Sequence, residues 1–171
     1  MVNFADHVAM SRLFNIEPEM DKAEGSRLDE PSVIALFSRL QVGGLVRQGC
    51  VNLISFKVLR EHLGGSAWRY ARPYIWDHVN GCAGLHFPPD GWVERLNDTD
   101  FLVAWPAASP APVQAASFRL LATAFRRVRM AWRPSDLVIR CVTEVRGQEL
   151  GCVDLDPSSI ARNDREILGL W

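Results

Sequence analysis

Apolar residues recur along the chain in two rhythms, one of about 3.6 residues and one of two, which predict helices and strands respectively. Near the start, Phe4, Val8 and Leu13 recur at near-helical spacing in "VNFADHVAMSRLF", a short amphipathic helix. "NIEPEMDKAEGSRLDE" follows, polar and charged around Pro18 and Gly25, and reads as a linker or mobile arm. The pattern then predicts a helix over 29–41, with Pro31 near its first turn and Val33, Leu36, Phe37 and Leu40 on one stripe. Gly43 and Gly44 end it.

"CVNLISF" reads as a strand interrupted by Asn52 and Ser55, and "KVLREHLGG" as a short helix stopped by Gly64 and Gly65. "SAWRYARPYIWDHVNG" is helical in character, with Pro73 expected to start or kink a segment rather than sit inside it. "GWVERL" and "FLVAW" flank the polar turn "NDTD" and form a hairpin. Residues 110–130 are the clearest helix, with Val113, Phe118, Leu121 and Phe125 inward and arginines toward the C-terminal end, where cations suit the helix dipole. "DLVIRCVTEV" and "LGCVDL" give a second hairpin around "RGQE", and a last helix is capped near Asp156 or Ser158, with Asp154 sharing in the capping. Helices interleaved with strands and hairpins imply an α/β fold of α+β sandwich type, a central, mostly antiparallel sheet flanked by helices. Residues 1–28 form the N-terminal helix and linker, and 29–171 form the domain.

Composition narrows the function. At 171 residues the chain fits one compact domain, and 48% hydrophobic against 23% charged residues excludes wholesale disorder. Nineteen basic and 20 acidic residues leave a net charge of −1, so no global electrostatic case exists for a nucleic-acid or membrane partner. No apolar run reaches the roughly 20 residues needed to span a bilayer, and the start carries no signal-peptide pattern, so a cytoplasmic protein is expected. Cys50, Cys82, Cys141 and Cys152 contain no C-x-x-C pair; Cys50, Cys141 and Cys152 lie in apolar strand-like runs and are expected as small buried hydrophobes. His7, His62, His78 and His86 form no H-x-x-x-H pair, so neither a metal nor a cofactor is expected.

Two stretches carry a resemblance. "VNLISFKVLREHLGG" resembles the first strand and turn of GGDEF domains, the diguanylate cyclases, where the family reads approximately D-x-D-x-F-K-x-x-N-D-x-x-G-H. Phe56, Lys57 and Gly64 match, and Glu61 nearly matches the second residue of the N-D pair. About forty residues on, "RLNDTDFLVAWP" resembles the family's R-Y-G-G-D/E-E-F hairpin, with Arg95, Asp100 and Phe101 aligned. The order strand, helices, hairpin, long helix is also the family's, and the likeness covers roughly 29–154. It implies a nucleotidyl cyclase-like fold.

The departures bear on activity. In the family, an Asp on the first strand and an acidic residue on the hairpin hold divalent metal ions against the GTP phosphates, because hard cations need anionic oxygen ligands. Here those positions are Asn52 and Thr99. The two phosphate-approaching glycines are Asn97 and Asp98, and the guanine-reading Asn is Arg60. Lys57 and Asp100 persist. The family's inhibitory product site, an R-x-x-D just before the hairpin, is reduced to Asp90. A later R-x-x-D, Arg133 with Asp136 in "RPSD", reads as a helix-to-strand turn and is the one candidate ligand-binding pair.

The aromatic and basic stretch "WRYARPYIW" could stack nucleotide bases, but reads better as a helix burying Trp68 and Ile75 with Arg69 and Arg72 solvated. Asp98 and Asp100 read as solvated Asx-turn carboxylates rather than a metal pair, and Arg126, Arg127, Arg129 and Arg133 as a helix end rather than a phosphate site. The expected function is a non-catalytic, degenerate GGDEF-like signalling module of bacterial type. It would work through a protein partner or altered nucleotide contacts. The alternatives are an active nucleotidyl cyclase with a rebuilt metal site and an unrelated α/β interaction domain. The N-terminal stripe, too short to persist alone, is expected to pack on a second copy in a homodimer.

Overall fold

The computed structural model describes residues 35–40, 44–86, 90–106, 109–129 and 131–163. Its centre is β1 (Val51–Ser55), hydrogen-bonded on both edges. A long helix, α1 (Lys57–His86), leads from it to the hairpin β2 (Trp92–Arg95) and β3 (Asp100–Ala104). Helix α2 (Pro110–Arg127) then crosses back to the hairpin β4 (Val138–Arg146) and β5 (Glu149–Asp154), and α3 (Pro157–Asn163) follows. The strands lie in the order β2-β3-β1-β4-β5 with every pairing antiparallel. The first four strands and two helices thus follow the β-α-β-β-α-β order of a split βαβ unit, with β5 added at one edge.

Alternation along β1 builds two cores. Ile54 faces the helices, in a cluster with Phe101, Phe118, Leu121, Phe125 and Ile139. Val51 faces the other way, with Leu102, Ala104 and Val142, and there Leu36, Leu40 and Leu45 cover the sheet. Residues 35–40 are helical with Leu36, Phe37 and Leu40 buried, as the stripe predicts. The rest of that helix and the whole N-terminal stripe lie outside the described residues.

Helix α1 keeps the two expected segments and departs from expectation at Pro73. Gly64 stops the first segment as predicted, with φ 75° and ψ 163°, but the chain resumes a helix at once and runs to His86. Only a residue without Cβ adopts that backbone cheaply. Pro73 lies inside the second segment, contrary to the expectation that it would start or kink one. Proline removes the hydrogen bond to the carbonyl four residues back, here that of Arg69. Both Arg69 and Pro73 are on the exposed side, where water can serve that carbonyl.

Helix α2 starts at Pro110, just after Ser109, where the missing N–H costs nothing. Val113, Phe118, Leu121 and Phe125 are buried as predicted, but the helix ends at Arg127, three residues early. The cause is Arg129, which takes a left-handed φ of 51° and donates its N–H to the Arg126 carbonyl. The second hairpin turns on Gly147, also left-handed at φ 59°. Asp156 caps α3 through Ser158 and Ser159, and these bonds, the Ser159 hydroxyl foremost, hold its carboxyl below the usual range. Asp154 does not share in the capping: it pairs across the sheet with Arg140 at 2.8 Å. Of the strand cysteines, Cys50 is fully buried, whereas Cys141 and Cys152 are half-buried because β4 and β5 lie toward the sheet's edge.

A β-carbon in the left-handed region is strained, so Arg129→Gly should raise stability by about 0.5–1 kcal/mol. Denaturant unfolding of the two proteins measures it.

Candidate functional site

The turn between β2 and β3 collects most of the positions singled out by the resemblance. Its geometry is set from within. The Asn97 side-chain oxygen accepts the backbone N–H groups of Thr99 at 2.8 Å and Asp100 at 3.0 Å. Its amide nitrogen donates to the Asp100 carboxylate at 2.9 Å. The Asx turn therefore belongs to Asn97, where Asp98 and Asp100 were expected to supply it. The N–H groups of Thr99 and Asp100 are thus occupied by a neighbouring side chain.

The carboxylates are engaged as well. Asp98 accepts from Arg72 at 2.8 Å and from the Trp68 indole N–H at 2.9 Å. Arg72 is only 17% exposed and Asp98 33%, which corrects the expectation that both are solvated. Arg69 does point outward. Asp100 accepts from the hydroxyls of Ser55 and Thr99, and the Ser55 oxygen in turn accepts the Lys57 N–H at the start of α1. Trp76, one turn beyond Arg72, carries two guanidinium groups on its ring, that of Arg95 at 3.9 Å and that of Arg72 at 5.3 Å from the centroid. Helix α1 and the hairpin are thus latched by Trp68, Arg72 and Trp76 against Arg95 and Asp98.

Asn52 is elsewhere. It is fully buried beneath α2, and its amide donates to the Ser117 hydroxyl at 3.1 Å, which in turn donates to the Val113 carbonyl at 2.8 Å. Among the described residues no donor reaches the Asn52 side-chain oxygen. Asn52 and Ser55 are three positions apart, so their side chains leave opposite faces of the sheet roughly 10 Å apart along the strand. Asp100 is the register partner of Ser55. The hairpin position assigned to metal binding, Thr99, lies level with Phe56, whose N–H its carbonyl accepts at 2.8 Å, four residues along the chain from Asn52, so the two positions do not converge.

These residues do not fit a divalent cation. Asn52 and Thr99 are neutral, Asn52 is sealed against Ser117, and Asp100 is a lone carboxylate among hydroxyl and amide donors. No group of three metal-ligating side chains occurs among the described residues. Lys57 and Arg60 lie on the first segment of α1, where Lys57 faces Glu61 at 4.0 Å across an exposed surface. At the Arg133 and Asp136 pair, the Asp136 carboxylate accepts the backbone N–H of Arg133 at 2.7 Å and closes the turn that the spacing predicts between helix and strand. Burial pushes the thiols of all four cysteines up, with Arg127 working against that rise at Cys82 and Arg140 at Cys152. A groove of about 740 Å³ opens on the opposite side of the sheet beside Val46, Arg47 and Glu144, apart from the hairpin.

Sequence reasoning missed the roles of Ser55, at a variable position of the resembled pattern, and of Ser117, which lies outside the two matched stretches. It weighed Trp68, Arg72 and Trp76 as a base-stacking surface or a helix face, and not as a latch on the hairpin. Their spacing of four is the signal that one helix side meets the acidic turn.

Asp98→Ala should leave Arg72 half-buried without this partner and cost about 1–3 kcal/mol in thermal or denaturant unfolding, with a shift in tryptophan emission. Ser117→Ala should cost about 1–3 kcal/mol by orphaning the Asn52 amide. The double variant Asn52→Val and Ser117→Ala should recover most of that loss, which a double-mutant cycle measures. Comparison with family models, with curated proteins and with solved structures found no match.

Proposed function

We propose that this chain is a non-catalytic module of degenerate GGDEF type. It works in signalling through contact with a protein partner, or through a nucleotide bound by altered contacts. The order of elements and the β-α-β-β-α-β sheet are compatible with that likeness. The observation that carries the non-catalytic reading is the closed hairpin. The amides of Thr99 and Asp100 are taken by Asn97, and the carboxylate of Asp98 by Arg72 and Trp68. A phosphate approaching this turn would meet no open amide on Thr99 or Asp100 and would face two acidic side chains.

The missing acids matter more than the missing space. Phosphoryl transfer in the resembled family depends on metal ions that neutralise charge at the transferred group, and losing one ligand carboxylate costs several kcal/mol of transition-state stabilisation. Two are absent here. Incubation of the full chain with GTP and Mg²⁺ or Mn²⁺ should therefore give no cyclic dinucleotide above background. Clear turnover that disappears in Asp100→Ala would overturn the reading. Calorimetric titration with GTP and with a cyclic guanine dinucleotide decides between the nucleotide-binding and the purely protein-binding forms of the module.

A further inference from the structure

Residues 101–135 contain five arginines and no acidic residue. The net charge of −1 averages this block with acidic stretches elsewhere in the chain. A helix end accounts for only part of it. Helix α2 stops at Arg127, so Arg126 and Arg127 lie in its last turn and suit the helix dipole, whereas Arg129 and Arg133 lie beyond it. Arg127, Arg129 and Arg133 are all exposed. Among the described residues, none of their three guanidinium groups has a carboxylate within ion-pair distance. The nearest acid in sequence, Asp136, gives its carboxylate to the Arg133 backbone N–H.

Two features of this stretch point to a ligand. Arg129 holds a left-handed φ of 51°, a conformation that glycine adopts at lower cost, so stability alone would favour glycine there. Trp132 lies between Arg129 and Arg133 and is only half-buried. Its ring is held from the core side by Phe125 and Phe118, with centroids 6.0 and 6.3 Å away. Six residues of chain keep the three arginines within about 20 Å of one another, the span of a few nucleotides. Guanidinium groups that neutralise phosphates, beside an anchored aromatic ring that takes the face of a base, are the chemistry of single-strand recognition. An acidic peptide would engage the arginines and leave the ring unused.

We propose that the surface from Arg127 to Arg133 binds single-stranded nucleic acid, with the three arginines on its phosphates and Trp132 against a base. The proposal goes beyond the signalling reading and does not depend on it. Its contacts are to the backbone and to a base face, so binding is tolerant of sequence.

Fluorescence anisotropy of the full chain with a labelled single-stranded uridine dodecamer should give a dissociation constant of about 100 µM or tighter at about 50 mM salt. With three phosphates neutralised, affinity should fall roughly twentyfold between about 50 and about 200 mM salt, a logarithmic slope of about −2. Arg129→Gly should weaken binding several-fold and reduce that slope by about 0.7, while thermal melting is unchanged or improved, which separates a lost contact from a lost fold. Combining it with Arg127→Gln and Arg133→Gln should abolish binding. A dodecamer that does not bind at about 50 mM salt would overturn the proposal, as would binding that the triple variant retains. A decaglutamate peptide that binds as tightly as the dodecamer would also overturn it, and would make the surface one for acidic peptides.

Discussion

Strand β1 is paired along both edges and covered on both faces, and the remaining elements take their places from it. Its even positions fix what the helices pack against, and its odd positions fix what Leu36, Leu40 and Leu45 cover. A one-residue slip against β3 would turn Ile54 out of one core and Val51 out of the other, so the register is held by apolar contacts on two sides at once. The separation of Asn52 from Asp100 onto opposite faces follows from that register and not from any local feature of the hairpin.

The polar hairpin satisfies its own valences. Carboxylates, amides and hydroxyls that would be open in a working phosphate site are here matched to one another or to α1. The turn is a structural joint: Asp98 ties it to the long helix, and Asp100 ties it through Ser55 to the start of that helix. A site of this kind is stabilised by the very bonds that make it poor at receiving an anion.

Much of the fold was legible because it rests on periodicity. The strand at 51–55, the hairpin around 96–99, the buried face of α2 and the tight turn at Gly147 all follow from spacing and turn chemistry. Pro73 was misread because the rule against internal proline assumes a carbonyl shut away from water, and here the affected turn faces outward. The end of α2 was misplaced because nothing in "RRVRM" marks Arg129 as left-handed; glycine or asparagine would have done so. The candidate site was legible as a set of substitutions but not as a network. Whether Asp98 meets water or Arg72 depends on how a helix lies over a turn, and tertiary packing decides that.

The pairing of β1 with β4 has a temporal side. Asn52 and Cys141 are neighbours in the sheet yet about 90 residues apart in sequence, whereas β1 meets β3 after about 50. During synthesis the hairpin and β1 can assemble while β4 is still to come, leaving an apolar strand with one open edge. Such an edge templates association with other chains. The crossover through α2 therefore sets a window of vulnerability in the life of every nascent molecule, and it closes when the 138–146 segment docks.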